Sequence, residues 1–177
     1  MYLISIYFDE KTTRKMQRYI DLVAEKTGNR FMIDGQVPPH LTVSAFETRS
    51  EDEAIKVLER IAKRLWRGTL TWASVGTFFP YVLFLQPVLN AYLQGMSEIV
   101  YEELSSISDV RINVFYQPFG WLPHTTIGKT LTKEQMQSAF AILQENYGVF
   151  DSTVTKIGLA RTNPHRDIKV YSLNEAI

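Results

Sequence analysis

Two short segments place an imidazole and a hydroxyl at the spacing of one strand face: Pro39-His40-Leu41-Thr42-Val43 and Pro123-His124-Thr125-Thr126-Ile127. Successive side chains of a β-strand point to opposite faces. His40 therefore shares a side with Thr42, and His124 with Thr126, while Leu41, Val43, Thr125 and Ile127 point the other way. Histidine titrates near neutrality, so two facing rings can hold one proton between them, one ready to accept and the other to donate. Such a pair suits phosphoester chemistry without a metal: one imidazole takes the proton of an attacking hydroxyl or water, and the other protonates the departing oxygen. The neighbouring threonine hydroxyls can donate to non-bridging phosphate oxygens, where charge gathers during transfer. The competing reading makes both residues strand-edge histidines satisfied by backbone carbonyls, in a structural or interaction protein.

Paired H-x-[ST]-apolar segments resemble those of the two-histidine phosphoesterase superfamily, which includes 2′-5′ RNA ligase-like proteins and RNA 2′,3′-cyclic phosphodiesterases. His40-Leu41-Thr42-Val43-Ser44-Ala45-Phe46 is similar to that family's first block, and Lys129 falls where the second block often carries a basic residue. Glu47-Thr48 replaces the Leu-Gly that often follows the first block, and Lys129 stands in for the commoner Arg. The resemblance implies a bilobal α+β fold: two similar lobes, each with an antiparallel sheet and outer helices, related by a pseudo-twofold about a central groove. It also implies a metal-independent, cofactor-free phosphodiesterase acting on 2′,3′-cyclic phosphate or 2′-5′ linkages of nucleotides or RNA ends, with His40, Thr42, His124 and Thr126 catalytic. A binding module that holds a nucleotide or RNA end without turning it over is the alternative.

Other candidates lie around these segments. Tyr116, Phe119 and Trp121 sit on the irregular approach to His124, where an aromatic ring can stack on a base. Lys129 and Arg161 are candidates for neutralising phosphate. Tyr7 and Phe46 read as structural, and His165, in Asn163-Pro164-His165-Arg166-Asp167, as a surface-loop residue. A metal site built from all three histidines lacks a nearby carboxylate or second ligand at metal spacing in either motif.

The elements that must carry these residues follow from periodicity. Residues 2–8 read as a strand. A helix capped by Thr12 or Thr13 follows, with Met16, Tyr19, Ile20 and Val23 inward and Gly28 as its stop. Phe31–Ile33 reads as β-rich, and Pro38-Pro39 stiffens the approach to the strand at 40–46. Ser50-Glu51-Asp52-Glu53 is a capping box; Ala54, Ile55, Leu58, Ile61, Ala62 and Leu65 make the buried stripe, and Gly68 ends the helix. The second half repeats the plan with an added hairpin. Strands are expected at Leu70–Phe79 and Tyr81–Leu85, then a helix with Leu89, Leu93, Met96, Val100 and Leu104 on one side. Thr132 and Gln135 cap a last helix with Met136, Ala139, Phe140, Leu143 and Tyr147 inward and Gly148 as its stop, before two strands in Phe150–Leu173 broken near Asn163-Pro164.

At 177 residues the chain fits one two-lobed domain, 1–177, with a half-boundary near 68–70. Lysine plus arginine and aspartate plus glutamate number 19 each. A grip on long duplex nucleic acid is electrostatic and usually needs a basic excess, so a nucleotide cyclic phosphate or a single RNA terminus is the expected partner. The chain has no cysteine, which excludes disulfides and thiolate chemistry. With no basic leader at Met1–Glu10 and no bilayer-length apolar run, a cytoplasmic protein, without membrane association and monomeric, is expected.

Overall fold

The computed structural model describes residues 1–162 and 164–175, an α+β arrangement of antiparallel strands and helices. The chain runs β1 (Tyr2–Phe8), α1 (Glu10–Thr27), α2 (Phe31–Asp34), β2 (Leu41–Glu47), α3 (Glu51–Arg64), β3 (Gly68–Phe78), β4 (Val82–Pro87), α4 (Ala91–Leu104), β5 (Arg111–Ile112), a 3₁₀ turn (Val114–Tyr116), β6 (Thr125–Gly128), α5 (Lys133–Asn146), β7 (Phe150–Arg161) and β8 (Arg166–Ser172). Its strands form one continuous sheet in the order β5-β2-β1-β7-β3-β4-β6, with β8 paired to β7 beside that path. The strands of both halves thus share one sheet: β7 pairs with β1 on one side and, through its first residues, with β3 on the other. The break expected near Asn163-Pro164 falls at the turn between β7 and β8, though Asn163 itself lies outside the described residues.

The helices cover one sheet face. Ile4, Ile6, Leu41, Val43, Ile157 and Leu159 are buried there with Met16, Ile20, Leu58 and Ile61 of α1 and α3. Alternation then assigns the opposite face of the same strands. Ser5 pairs with Thr42 and with Gly158, so these residues, together with Tyr7 and His40, line the helix-free side.

Several local expectations change. Asp9, not Thr12 or Thr13, caps α1, accepting from the Thr12 amide at 2.8 Å; a carboxylate reaches that amide without adopting a helical backbone itself. Phe31–Asp34 is a helical turn rather than β-rich, because the Asn29 side chain accepts from the Phe31 amide and starts it. α3 ends at Arg64, where Leu65 turns extended, and Gly68 opens β3 with a Cβ position only 2.4 Å from the Tyr92 ring. Leu89 precedes the Asn90 cap of α4 and is exposed, and Phe140 is half-exposed on α5. The Thr132–Gln135 capping box forms in full.

Candidate active site

His40 and His124 occupy equivalent positions, each immediately before the first residue of its strand, β2 or β6. Proline precedes each and restrains the backbone that delivers the ring. His40 Nδ1 lies 2.8 Å from the Pro38 carbonyl oxygen, and His124 Nδ1 lies 2.8 Å from that of Leu122. A carbonyl can only accept, so Nδ1 carries the proton in both rings and Nε2 is the free nitrogen of each. The backbone contact that could have made these histidines merely structural thus satisfies one nitrogen and leaves the other. Both rings are partly buried, as are Thr42 and Thr126.

The two segments are tied together by Thr125, a residue that alternation turns away from the cleft. Its buried hydroxyl donates to the His40 carbonyl oxygen at 2.9 Å, joining β6 to the entrance of β2 across 85 residues of sequence. Each histidine also rests beside an aromatic ring from the neighbouring strand. Tyr7 on β1 lies 6.3 Å from His40, and Phe84 on β4 lies 5.1 Å from His124. Both rings need a glycine beneath them: a Cβ on Gly158 would stand 2.9 Å from Tyr7 Cε2, and one on Gly76 only 2.4 Å from Phe84 Cε2.

Burial is the main cause that holds the His124 imidazole below the ordinary histidine value, against the Leu122 carbonyl that favours its charged form. His40 is likewise lowered, first by burial. There the Pro38 carbonyl and Asp167 oppose the shift, while His165 and His124 add to it.

A cleft of about 530 Å³ opens beside His124 and Thr126. Phe78, Val82, Asn113, Phe115, Tyr116, Gly120, Leu122 and Lys129 complete its lining. Of the aromatic candidates, Tyr116 lines this cleft and Phe119, 81% exposed, does not. Trp121 is 7% exposed and packs in the hydrophobic core, so it cannot offer a ring face to a base; a large apolar side chain behind the β6 approach is worth more buried than stacked. Phe115 and Phe78, which the sequence does not single out as candidates for stacking, line the cleft instead. Lys129 lines the cleft with its Nζ 5.5 Å from the centroid of Phe31.

Arg161 is misplaced for phosphate. It pairs across the sheet with Tyr2, which alternates with Leu3, Ser5 and Tyr7 and so faces the helices, and its guanidinium is engaged by Glu51 of α3 at 2.8 Å. Conversely His165 and Tyr7 are closer to the site than the sequence suggests. The His165 ring stacks on His40 with centroids 5.5 Å apart and planes 25° from parallel. Phe46 is structural as expected, buried and stacked on Tyr2. Among the described residues no group of three or more His, Asp or Glu side chains is disposed to hold a metal ion, and no helix is long and apolar enough to cross a membrane.

Solved structures share this architecture. E. coli LigT complexed with 3′-AMP superposes with a TM-score of 0.63 at 15% identity over 98% of each chain, and TT0787 of Thermus thermophilus with 0.63 at 17% identity over 99% of each. Usb1 of Kluyveromyces marxianus matches with a TM-score of 0.50 at 16% identity, covering 98% of this chain and 97% of its own. No curated protein matches the sequence. At these identities the structural likeness speaks to fold, whereas the sequence model of the 2′-5′ RNA ligase superfamily matches residues 17–166, both histidine segments included, and the chain belongs to that superfamily.

Proposed function

We propose that this protein is a phosphodiesterase that hydrolyses a 2′-linked phosphodiester, most simply the 2′,3′-cyclic phosphate of a nucleotide or an RNA end. The observation that carries the reading is the matched anchoring of two histidines from distant segments. Each has Nδ1–H spent on a backbone carbonyl and Nε2 left for chemistry, and the segments are joined by the Thr125 hydroxyl. Superfamily membership and the nucleotide-sized cleft beside His124 and Thr126 support it. So do solved structures of E. coli LigT with 3′-AMP, ATP or phosphate.

In the reaction one neutral imidazole takes a proton from water through Nε2 as the water oxygen bonds to phosphorus. The other, protonated, gives its Nε2 proton to the ribose oxygen whose bond to phosphorus breaks. Water is added across one P–O bond, and solvent resets the two protonation states. Thr42 and Thr126 donate to the non-bridging oxygens, and Lys129 supplies a positive charge near the phosphate.

The test is incubation with the four nucleoside 2′,3′-cyclic monophosphates and a 2′-5′-linked dinucleotide. Turnover of at least one is expected, and the product isomer identifies the leaving oxygen. Tight nucleotide binding with no turnover of any of them would overturn the hydrolase reading in favour of a recognition module. EDTA is expected to leave the rate unchanged; loss of activity that zinc restores would refute the two-histidine mechanism.

The pH profile follows from the shifts. Both imidazoles are lowered from the ordinary value of 6.5. The protonated acid is therefore scarce above that pH, and kcat/KM should fall on the alkaline side by about tenfold per pH unit, with a second decline at acid pH as the base becomes charged. The optimum lies below neutrality. A profile flat from pH 5 to 9, or one rising through pH 8, would contradict this.

A further inference from the structure

The two histidines share their backbone anchors but not their surroundings. His124 sits against hydrocarbon rings: Phe78 stands edge to face at 4.9 Å and 85°, and Phe84 lies at 5.1 Å. His40 is instead bracketed by groups that titrate or carry charge. Tyr7 flanks it from β1, His165 stacks on it from the β7–β8 turn, and Asp167 of β8 and His124 are near enough for their charges to act on it.

These flanking groups are connected. The Tyr7 hydroxyl donates to Asp167 Oδ1 at 2.6 Å, and His165 Nε2 lies 3.4 Å from that same oxygen. The His165 side chain is only 14% exposed, and its Nε2 is buried without a hydrogen-bond partner among the described residues. The nearest acceptor to that nitrogen is a carboxylate oxygen, the group with which an imidazole N–H pairs most strongly. A turn residue with no structural duty would face solvent, whereas this one lies flat on the reacting imidazole.

We propose, resting on the function above, that His165 is a positioning residue for the reaction, acting through His40 in concert with Tyr7 and Asp167. The stacked ring fixes the plane of His40, so that its Nε2 keeps one direction. A second imidazole stacked on His40 disfavours the cationic form of that ring, since two like charges would then face each other. His40 is thereby the neutral proton acceptor, and His124, which has hydrocarbon rings rather than an imidazole against it, is the donor.

The chain holds only three histidines, so each imidazole can be followed by NMR titration in the intact protein and assigned with single variants. His165→Phe keeps a flat ring over His40 but removes the charge, and His165→Gln keeps a polar partner for Asp167 without the charge. In both, the His40 titration is expected to move to higher pH while that of His124 stays in place. In the same variants the acid limb of the cyclic-phosphate rate profile should move with His40, lowering the rate at pH 5.5 by about three- to tenfold relative to wild type. A His40 titration identical to wild type in both variants, with wild-type turnover intact, overturns the role of His165 and leaves the hydrolase reading standing. A wild-type protein that turns over none of the substrates overturns both.

Discussion

Substitution of His40 or His124 by alanine is expected to lower turnover of a 2′,3′-cyclic phosphate by about 10²–10⁴, the usual worth of a positioned acid or base. The loss should be catalytic rather than structural. Each ring is only partly buried, and its single backbone bond closes a local contact with a carbonyl two residues upstream. The sheet pairs of β2 and β6 do not include either histidine. Melting temperature should therefore change little while kcat falls. If acid and base act in one concerted step, the double variant should be scarcely slower than the worse single, because removal of either already abolishes the concerted route. Steady-state rates of the two single variants and the double variant decide this. A single variant within fivefold of wild type would remove that histidine from the mechanism.

The second large effect is expected at the threonines. Thr42→Val and Thr126→Val preserve shape and strand propensity while deleting the hydroxyl, and each should cost about 10²–10³ in kcat, by analogy with loss of an oxyanion donor. Serine at either position keeps the donor and should recover most of the rate. The contrast with Thr125 is sharp. Its hydroxyl is buried and spent on the His40 carbonyl, so Thr125→Val should act by loosening the junction of β6 with β2, with lower thermal stability preceding any loss of rate. Parallel measurement of kcat and melting temperature across the valine set checks both statements. Equal catalytic losses at 125 and 126 would mean that strand alternation does not assign these hydroxyls.

The histidine segments were legible because the information that defines them is local. A side chain two residues from another on a strand shares its face whatever the rest of the chain does. His40 with Thr42, and His124 with Thr126, could therefore be paired on sight. The helix stripes of α1, α3 and α5 were legible in the main for the same reason; Val57 of α3 is buried although the stripe omitted it, Phe140 is half-exposed at the edge of its stripe, and Tyr147 caps α5 rather than lying on its buried face.

What composition and spacing could not supply was anything set by register or by the path of a hairpin. Arg161 and His165 stand at the two ends of one turn, and both looked like loop-end polar residues. Pairing with Tyr2 sends the first to the helix face and Glu51, while the curl of β7 and β8 brings the second onto His40. Tyr7 reads as a strand aromatic until Gly158 in the neighbouring strand makes room for its ring and Asp167 receives its hydroxyl. By itself the sequence determined which histidines and threonines share a strand face, since alternation is a property of a single strand. Only the tertiary structure decided which groups surround each imidazole, because contacts between strands distant in sequence depend on register, and register is chosen by the packing of the whole sheet.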